Sequence, residues 1–544
     1  MSHRHAVALF VVLAVGTAAC ASSETASDDA GTSGATGGHN AATGGAGGSP
    51  GAGGGTGSGG SNGAGGVITG SGGNANPDGG ADSGRTDTGG AAGRAGTGGA
   101  TGLGGTTGTG GSGGMGVAGT TMFPKPGGTN LCPDPTLRIT FSGAPTVGTA
   151  GKIQVFNSAQ PATAVAVVDV GATTFTKTIG GMVFNTQRPV YIDGNTAVVV
   201  LPVAALAFNQ TFYVTVDSGA IKGPGGAAFS VTGATTWRFT TAAAAPANRT
   251  AISVATDGSA PYCSVQGALD FVPANNTAAT TITIAAGTYH EIIHVTNKSN
   301  VTLMGASRTG TVIAATNNNT MNPSTKGRSL VGIDNATGFS VRNLTIDNQT
   351  PQGGSQAEAL RMESCDMCIV RDATVISLQD TLLWDGRIYA NNCLIEGNVD
   401  YVWGGGAAYF ANCEIRTIGR SGPIVQARNP ANTYGYVFVD SRITSDAGLT
   451  GGVLARIDVG TYPASHVAYI NCQMTSEIAA VGWQLTAGTD VSMLRFWEYQ
   501  SVDASGNLIN TGSRLNGSKQ LTAAQAAMMR DPSVVLAGWT PPAN

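Results

Sequence analysis

The stretch that decides the fold is SLQDTLLWDGRIYANNCLIEGNVDYVWGGG, residues 377–406. Two of its aspartates, Asp380 and Asp400, have leucine, valine, tyrosine and tryptophan as near neighbours. Carboxylates are rarely buried without a partner, because losing their hydration costs more free energy than packing returns. A pair of such residues 20 positions apart therefore needs a structural explanation.

The explanation is a repeat of strand-like segments with one shared frame. Position four of each segment is Asn or Asp, position five is small or apolar, and position seven is Ile, Val or Met. Positions five and seven of a strand point to the same side, so both should face a core. The segments are SVRNLTIDN (340–348), IVRDATVIS (369–377), YANNCLIEG (389–397), YFANCEIRT (409–417), VFVDSRITS (437–445) and AYINCQMTS (468–476).

Repeats of 20 to 31 residues, each with one strand and variable loops, are typical of a stacked β-solenoid. The unequal spacing favours a parallel β-helix with loops of different length. An α/β barrel is disfavoured, because no long amphipathic helix lies between the strands.

The 20-residue offset predicts that Asp380 and Asp400 occupy equivalent positions on neighbouring rungs about 4.8 Å apart. Two carboxylates so close cannot both ionise freely, so one pKa should rise and the other needs a positive partner. Such a pair can supply an acid together with a base or nucleophile. Taken singly, each aspartate could also be a turn residue. The same register stacks Cys393 on Cys413, as a disulfide or as two buried thiols.

The composition separates the N-terminal region from the rest of the 544 residues. Only 11% of residues are charged and the net charge is -4, which excludes a basic nucleic-acid-binding surface. Residues 51–100 contain 22 glycines, and no Phe, Trp or Tyr lies between Phe10 and Phe123. A chain of this kind cannot bury enough apolar surface to order itself, so residues 21–128 are predicted to be a flexible tether.

Residues 1–20, MSHRHAVALFVVLAVGTAAC, predict a secretory signal of bacterial type. The sequence Thr-Ala-Ala before Cys20 resembles a lipoprotein signal, which would place a lipid anchor on Cys20 at the bacterial outer membrane or cell surface. Simple secretion into the medium is the alternative. Export permits disulfides, while the CxxC of Cys365 and Cys368 has no partner motif and indicates two structural cysteines.

Between residues 129 and 245, short apolar runs alternate with turn residues. Runs such as 137–141, 152–156, 196–201, 212–216 and 236–240 have the spacing of a β-sandwich. Their order resembles the Ig-like modules of bacterial surface proteins, so this region is predicted to be a spacer or adhesion module. The alanine-rich residues 241–248 then form a linker.

A literal HExxH motif occupies residues 290–294. Zinc binding by this motif requires a helix that brings both histidines to one face. The preceding segment TITIAAGTY and the following Val295 indicate β-structure, in which His290 and His294 would lie about 13 Å apart. The motif is therefore not expected to bind a metal.

Six segments, in order, resemble the pectin methylesterases. Combined, QDTL and VDYVWG are the most specific parts of them. The resemblance implies an all-β protein with a right-handed parallel β-helix catalytic domain over residues 249–544, preceded by the sandwich. The segments are VATDGSAPYCSVQGALDFVP (254–273), GTYHE (287–291), QAEALR (356–361), LQDTLL (378–383), GNVDYVWGGG (397–406) and LAR (454–456).

The resemblance also implies a role for each of five residues. Asp400 would be the nucleophile that attacks the ester carbonyl, and Asp380 the acid that protonates methanol and then activates water. Gln356 and Gln379 would donate hydrogen bonds to the oxyanion. Arg456 would hold Asp400 ionised.

The rival for the role of Arg456 is Arg420, one further 20-residue step beyond Asp400. Arg456 is preferred because LAR matches the family. The chain departs from the family directly after this arginine. The family continues with Pro and a Trp that stacks on the sugar, whereas this chain has Ile457 and Asp458. A carboxylate there would disfavour a de-esterified, polyanionic stretch of substrate.

Three aromatic residues are candidates for substrate binding. The resemblance places Tyr401 and Trp403 near the sugar-binding cleft, with core packing as the alternative for both. Trp384, Trp403 or Tyr462 would replace the missing Trp.

The implied partner is methyl-esterified pectin or a related polysaccharide, with no cofactor, metal or nucleic acid. A monomer is expected, with membrane contact only through Cys20. Two other readings stay open, namely an aspartyl esterase for another ester or thioester and a non-catalytic solenoid that binds polysaccharide. A pectate lyase is disfavoured, because no cluster of calcium-binding carboxylates and basic residues is found.

Overall fold

The computed structural model describes residues 119–186 and 188–543. The predicted signal 1–20 with Cys20, and the tether up to residue 118, lie outside these residues. Within the described part, none of the helices has the length and apolar character needed to cross a membrane.

Residues 121–241 form a β-sandwich. One sheet has the order β1-β3-β10-β9 and the other β2-β13-β11-β5-β6, with β4 and β12 also paired to β11 and β7 paired to β8. The strands are β1 (Thr121–Phe123), β2 (Gly128–Leu131), β3 (Leu137–Thr140), β4 (Thr146–Val147), β5 (Lys152–Asn157), β6 (Gln160–Asp169), β7 (Phe175–Ile179), β8 (Met182–Thr186), β9 (Val190–Asp193), β10 (Thr196–Val199), β11 (Thr211–Lys222), β12 (Ala228–Val231) and β13 (Arg238–Thr241), with a 3-10 turn at Pro224–Gly226.

The alternating pattern of the sandwich strands produces its core. In β5, Ile153 and Val155 are fully buried, while Lys152 is exposed. A strand points successive side chains to opposite sides, so the apolar face of each sheet turns toward the other. All five predicted runs are strands, but the sandwich begins at Thr121, before the expected boundary at residue 129. Its Ig-like relationship stays a prediction.

The sandwich is attached directly to the first turn of the second region. Cys132 and Cys263 form a disulfide across a sequence separation of 131 residues. The β7–β8 hairpin buries Phe184 in the core of the second region, and Asn185 exchanges hydrogen bonds with Asn322 at 2.8 Å in both directions. The disulfide was not predicted, because nothing in the sequence pairs two cysteines so far apart.

Residues 251–520 form a parallel β-helix. Its 17-stranded sheet bends within β23 and β25 and so supplies two faces. The first face includes β27, β30 and β33, and the second includes β28, β31 and β34; an 8-stranded sheet supplies the third face. The strands are β14 (Ala251–Val254), β15 (Thr280–Ile284), β16 (Gly287–Tyr289), β17 (Ile293–Thr296), β18 (Val301–Gly305), β19 (Thr311–Ala315), β20 (Val331–Asp334), β21 (Ser340–Arg342), β22 (Thr345–Asn348), β23 (Leu360–Arg371), β24 (Thr374–Ile376), β25 (Leu382–Asn391), β26 (Leu394–Gly397), β27 (Val402–Gly404), β28 (Ala407–Ala411), β29 (Glu414–Thr417), β30 (Pro423–Ala427), β31 (Tyr436–Val439), β32 (Arg442–Ser445), β33 (Val453–Asp458), β34 (His466–Ile470), β35 (Gln473–Met474), β36 (Trp483–Ala487), β37 (Arg495–Tyr499) and β38 (Lys519–Gln520).

In the part of the chain that the structure describes, four short helices accompany the strands. Helix α1 (Val265–Phe271) packs at the start of the β-helix, and α2 (Thr325–Arg328) lies in a loop before β20. Helices α3 (Ala523–Met529) and α4 (Pro532–Val535) follow the last strand and cover an apolar patch formed by β28, β31 and β34. These helices close the end and one side of the coil.

The predicted repeat register is confirmed. Ser340 pairs with Ile369, Ile369 with Tyr389 and Tyr389 with Tyr409, and the later segments continue the series. The residues at positions five and seven of all six segments are buried. The Asn or Asp at position four has a positive φ in every rung, at Asn343, Asp372, Asn392, Asn412, Asp440 and Asn471.

These positive φ values explain why the repeat needs Asn or Asp. The left-handed region is unfavourable for most side chains, but Asn and Asp adopt it more readily than other non-glycine residues. Each one turns the chain sharply from the second face of the coil to the third. Cys365, Cys368, Cys393, Cys413 and Cys472 are buried free thiols, which resolves the question of Cys393 and Cys413.

Candidate active site

Asp380 and Asp400 lie at the turn that leads from the third face of the coil into the first. Both have a positive φ, +67° for Asp380 and +47° for Asp400. Leu382 pairs with Val402, and Gln379 forms a parallel bridge with Val399. The two aspartates therefore occupy equivalent positions on neighbouring rungs, as the 20-residue offset predicted.

Asp400 has a dedicated positive partner in Arg456. Arg456 Nε donates to Oδ1 and Oδ2 of Asp400 at 2.8 and 3.0 Å, and Nη2 also donates to Oδ2. The guanidinium approaches from β33, two strands along the first face from β27. Asp400 is only 5% exposed, so this fork supplies the charge compensation that a buried carboxylate requires. Arg420 is exposed at the surface, and the structure favours Arg456.

Asp380 shares its arginine with a second carboxylate. Arg328 Nη2 donates to Asp380 Oδ2 at 3.1 Å, but the same guanidinium makes three hydrogen bonds of 2.7 to 3.0 Å to Glu358. Burial raises the pKa of Asp380 well above its ordinary value; the charges of Glu358 and Asp400 add to this, while Arg328 and Arg428 oppose it. The surroundings of Asp380 therefore favour its protonated form.

Sequence reasoning missed Arg328 and Glu358. Glu358 lies within the quoted segment QAEALR, and its position becomes clear only from the pairing of Leu360 with Leu382. Glu358 precedes Leu360 by two residues, as Asp380 precedes Leu382. The offset here is 22 residues and changes to 20 within β23, so the fixed repeat did not reveal it. Arg328 lies on α2 outside the repeat frame, where no sequence signal marks it.

The backbones of Gln356 and Gln379 lie beside the two aspartates. Gln379 immediately precedes Asp380, and its carbonyl accepts a hydrogen bond from Ala357 N at 3.2 Å. Both amide side chains are half-buried. Within the described residues, neither side-chain amide is hydrogen-bonded to another group of the protein. Their amides are therefore available to a ligand.

Two of the three predicted substrate-binding aromatics lie in the core, so the prediction was wrong for Tyr401 and Trp384. Both side chains are fully buried. The hydroxyl of Tyr401 is hydrogen-bonded to Oγ1 of Thr417 at 3.1 Å. Trp384 stacks on Phe410, with ring centroids 5.2 Å apart. The left-handed turn at Asp400 reverses the alternation, so its neighbour points inward.

Trp403 lies on the outer side of the first face. It pairs with Leu383 and is 8% exposed. The guanidinium of Arg428 lies 4.8 Å from its ring centre and that of Arg328 5.8 Å. Within the described residues, its indole Nε1 has no hydrogen-bond partner. An aromatic surface bordered by two cations thus adjoins Asp380 and Asp400.

Asp458 stabilises the turn in which it lies. Its carboxylate accepts hydrogen bonds from Gly460 N at 2.8 Å, Thr461 N at 3.3 Å and Thr461 Oγ1 at 2.8 Å. These hydrogen bonds lower the pKa of Asp458. Tyr462 follows in the same turn, and its ring lies 5.4 Å from the Arg428 guanidinium. Tyr462 thus places an aromatic ring on the Arg428 side of the site.

The HExxH segment is not helical. His290 precedes β17 and His294 lies within it. Nε2 of His290 is 3.7 Å from Oδ2 of Asp193, and Nε2 of His294 is 3.8 Å from Oδ2 of Asp334. The two histidines therefore have separate partners. Glu291 accepts hydrogen bonds from Val265 N at 2.7 Å and Gln266 N at 3.0 Å, which caps α1. The segment therefore holds the first turn of the coil.

A cavity of about 650 Å³ lies between the sandwich and the first turns of the β-helix, lined by Lys177, Tyr191 and Glu291 among others. It is far along the coil from the rungs of Asp380 and Asp400. Its best-placed acid, Glu291, is already engaged with backbone amides. The paired aspartates therefore remain the candidate site.

Comparison with known proteins adds an independent finding. Residues 251–533 match the family model described as Pectinesterase. Pectinesterase 31 of Arabidopsis thaliana is 31% identical over 244 residues, covering 43% of this chain and 76% of that protein. Pectinesterase 1 of Olea europaea is 29% identical over 268 residues, covering 47% of this chain and 71% of that protein.

Solved structures include similar chains. Pectin methylesterase from carrot has a TM-score of 0.48 and 26% identity, over 53% of this chain and 93% of that chain. Pectin methylesterase PemA from Erwinia chrysanthemi has a TM-score of 0.47 and 27% identity, over 55% of this chain and 100% of that chain.

Proposed function

This chain belongs to the pectinesterase family, and from that premise we propose that it hydrolyses the methyl esters of polygalacturonan (pectin) to pectate and methanol. The observation that carries the proposal is the pair Asp380 and Asp400 on neighbouring rungs, each facing a different electrostatic environment. Two carboxylates held in different protonation states provide a nucleophile and an acid at one site.

In the first step, Asp400 attacks the ester carbonyl and the carbonyl oxygen becomes an oxyanion. The fork from Arg456 keeps Asp400 ionised and oriented for this attack. The amides of Gln356 and Gln379 donate hydrogen bonds to the oxyanion. Neutral donors suit this role, because they stabilise the developing charge without pairing with Asp400.

In the second step, the bond to the methoxy group breaks and its oxygen takes a proton from Asp380. The product is methanol and an acyl-enzyme on Asp400. Asp380, now ionised, removes a proton from water, which attacks the acyl carbon and displaces Asp400 as a carboxylate. The galacturonic acid so released loses its proton to solvent. Asp380 regains its proton and Asp400 its charge.

Trp403 is proposed to support a sugar ring, with Tyr462 in place of the missing Trp. Arg428 beside the ring can receive a galacturonate carboxylate. Aromatic faces next to cations suit an acidic sugar chain.

We propose further that the enzyme is an exported monomer with a lipid anchor at Cys20. The sandwich would be an Ig-like spacer. The Cys132–Cys263 disulfide supports export, because disulfides persist in oxidising compartments. Replacing Cys20→Ala should move the protein from the membrane fraction to the soluble fraction. Unchanged fractionation would refute the anchor.

Methanol release from highly methylated pectin tests the function. Wild type should release methanol, and Asp400→Asn should lose activity by a factor of about 10⁴ or more, as expected when a nucleophile is removed. Asp372→Asn is the matched control, since Asp372 has the same left-handed backbone and other rungs carry Asn at this position. No release by folded wild type would refute the function; normal release by Asp400→Asn would refute the nucleophile.

A further inference from the structure

Arg328 joins two carboxylates of neighbouring rungs, and it does so unequally. Its Nε donates to Glu358 Oε1 and Oε2 at 3.0 and 2.9 Å, and its Nη2 donates to Oε1 at 2.7 Å. Asp380 receives one hydrogen bond, from Nη2 at 3.1 Å. Glu358 is completely buried. Burial raises the pKa of its carboxyl group, and the charge and hydrogen bonds of Arg328 oppose this shift, because a guanidinium fork favours the ionised form of a carboxylate. Glu358 therefore compensates most of the positive charge with which Arg328 could stabilise an ionised Asp380.

The arrangement is held in place on both sides. Asn317 Nδ2 donates to Gly327 O at 2.9 Å and to Ser329 O at 2.8 Å, which fixes the backbone on either side of Arg328. Asn348 Nδ2 donates to Glu358 O at 3.0 Å and to Asn317 O at 2.7 Å. Because these amides are buried, the distances between the three charged groups are set by the fold.

The two aspartates therefore differ in their cations. Asp400 has Arg456, whereas Asp380 faces an arginine already paired with Glu358. The other cation that acts on Asp380 is Arg428, whose Nε and Nη2 are bonded to Gln426 Oε1 at 3.1 and 2.5 Å. Negative charge comes from Glu358 and Asp400. Among these charges, that of Glu358 has the largest effect on the pKa of Asp380, and it raises that pKa.

We propose that Glu358 is a positioning residue of the ester hydrolysis, which pairs with Arg328 and so keeps Asp380 protonated until the departing methoxy group takes the proton. This inference rests on the proposed function. When the carbon–oxygen bond breaks, its electron pair stays on the methoxy oxygen and the Asp380 proton moves to that oxygen. Arg328 Nη2 then donates to the new carboxylate, until water returns a proton to it.

Glu358→Gln provides the test, because it removes the charge but keeps the shape. The released guanidinium of Arg328 should then hold Asp380 as a carboxylate, and an opposite charge at this distance lowers the pKa of a carboxylic acid by about one to three units. Since the acid must be protonated, the alkaline limb of kcat/KM for methylated pectin should move down by about one pH unit or more.

Three comparisons make the outcome specific. Glu358→Asp keeps the charge and should keep the limb near that of wild type. The double variant Glu358→Gln/Arg328→Gln removes the released cation and should return the limb to the wild-type position or above it. Glu498→Gln breaks another buried glutamate–arginine pair, with Arg514, near the end of the coil, and should not move the limb.

The outcomes also separate this inference from the proposed function. Methanol release by wild type with an unmoved alkaline limb in folded Glu358→Gln would overturn the role of Glu358 alone. Should the single variant not fold, a downward shift in the double variant would overturn it. Absence of methanol release by wild type would overturn the function itself.

Discussion

Arg456 and Asp400 are 56 residues apart in sequence, and Nε of the arginine donates to both carboxylate oxygens at 2.8 and 3.0 Å. The two residues meet because β27, β30 and β33 are consecutive strands of the same face. A planar fork on a nearly buried carboxylate fixes both its charge and its direction. The first prediction follows from this contact.

Arg456→Lys keeps the positive charge but loses the fork. Loss of one charge-assisted hydrogen bond of about 1.5–3 kcal/mol corresponds to a fall in kcat of about ten- to a hundredfold. Initial rates of methanol release measure this. Arg420→Lys is the matched control, because Arg420 is exposed, and it should retain full activity. A larger loss in Arg420→Lys than in Arg456→Lys would reverse the assignment.

Gln356→Ala and Gln379→Ala should each lower kcat by about 10²–10³-fold, the usual effect of removing one oxyanion donor. KM should change little, because the hydrogen bonds strengthen only in the transition state. Steady-state kinetics on methylated pectin separates the two constants. An effect confined to KM would mean that the amides bind the ground-state substrate.

Trp403→Ala and Trp384→Ala should have opposite signatures. Loss of the ring of Trp403, which is 8% exposed on the outer side of the first face, should raise KM for pectin and should lower the free energy of unfolding less than the loss of Trp384. Loss of Trp384, which is fully buried, should lower the free energy of unfolding by about 3–5 kcal/mol. Kinetics and urea unfolding of both variants check this. A stable Trp384→Ala with raised KM would restore the original prediction for that residue.

Stability should depend on pH through Glu291. Burial raises the pKa of Glu291 from 4.5 to about 7. Between these values the folded chain holds a proton that the unfolded chain has released, so this group stabilises the fold as pH falls from 7 to 4.5. Glu291→Gln removes the titration, and the free energy of unfolding of wild type relative to this variant should rise by about 2 kcal/mol across that window. Urea unfolding at pH 5 and pH 7.5 measures this. An equal difference in free energy of unfolding between wild type and Glu291→Gln at both pH values would contradict it.

The Cys132–Cys263 disulfide should stabilise the attachment of the sandwich. Replacing both cysteines by serine should lower the free energy of unfolding by about 2–5 kcal/mol. Reduction of wild type should have the same effect, and reduction of the double variant should have no further effect. Thermal unfolding with and without reductant measures each state. Equal melting temperatures for oxidised and reduced wild type would show that the disulfide contributes little.

The sequence by itself determined the coil and the aspartate pair. Three consecutive segments repeat with a 20-residue spacing, so position counting alone places Asp400 over Asp380 and Cys413 over Cys393. The fixed two-residue period of a strand then assigns the buried positions. Local geometry also required Asn or Asp at position four, since the turn there is left-handed.

Only the tertiary structure decided which residues surround that pair. Glu358 lies on the rung next to Asp380 because the strand register shifts within β23. Arg328 comes from a loop helix whose position depends on buried amides. Tyr401 turns inward because the left-handed backbone at Asp400 reverses the alternation of side chains, whereas the resemblance had placed it near the cleft. A sequence repeat determines the positions that recur from rung to rung. Charged and aromatic residues in loops and turns do not follow that period, so their positions depend on how the folded coil packs.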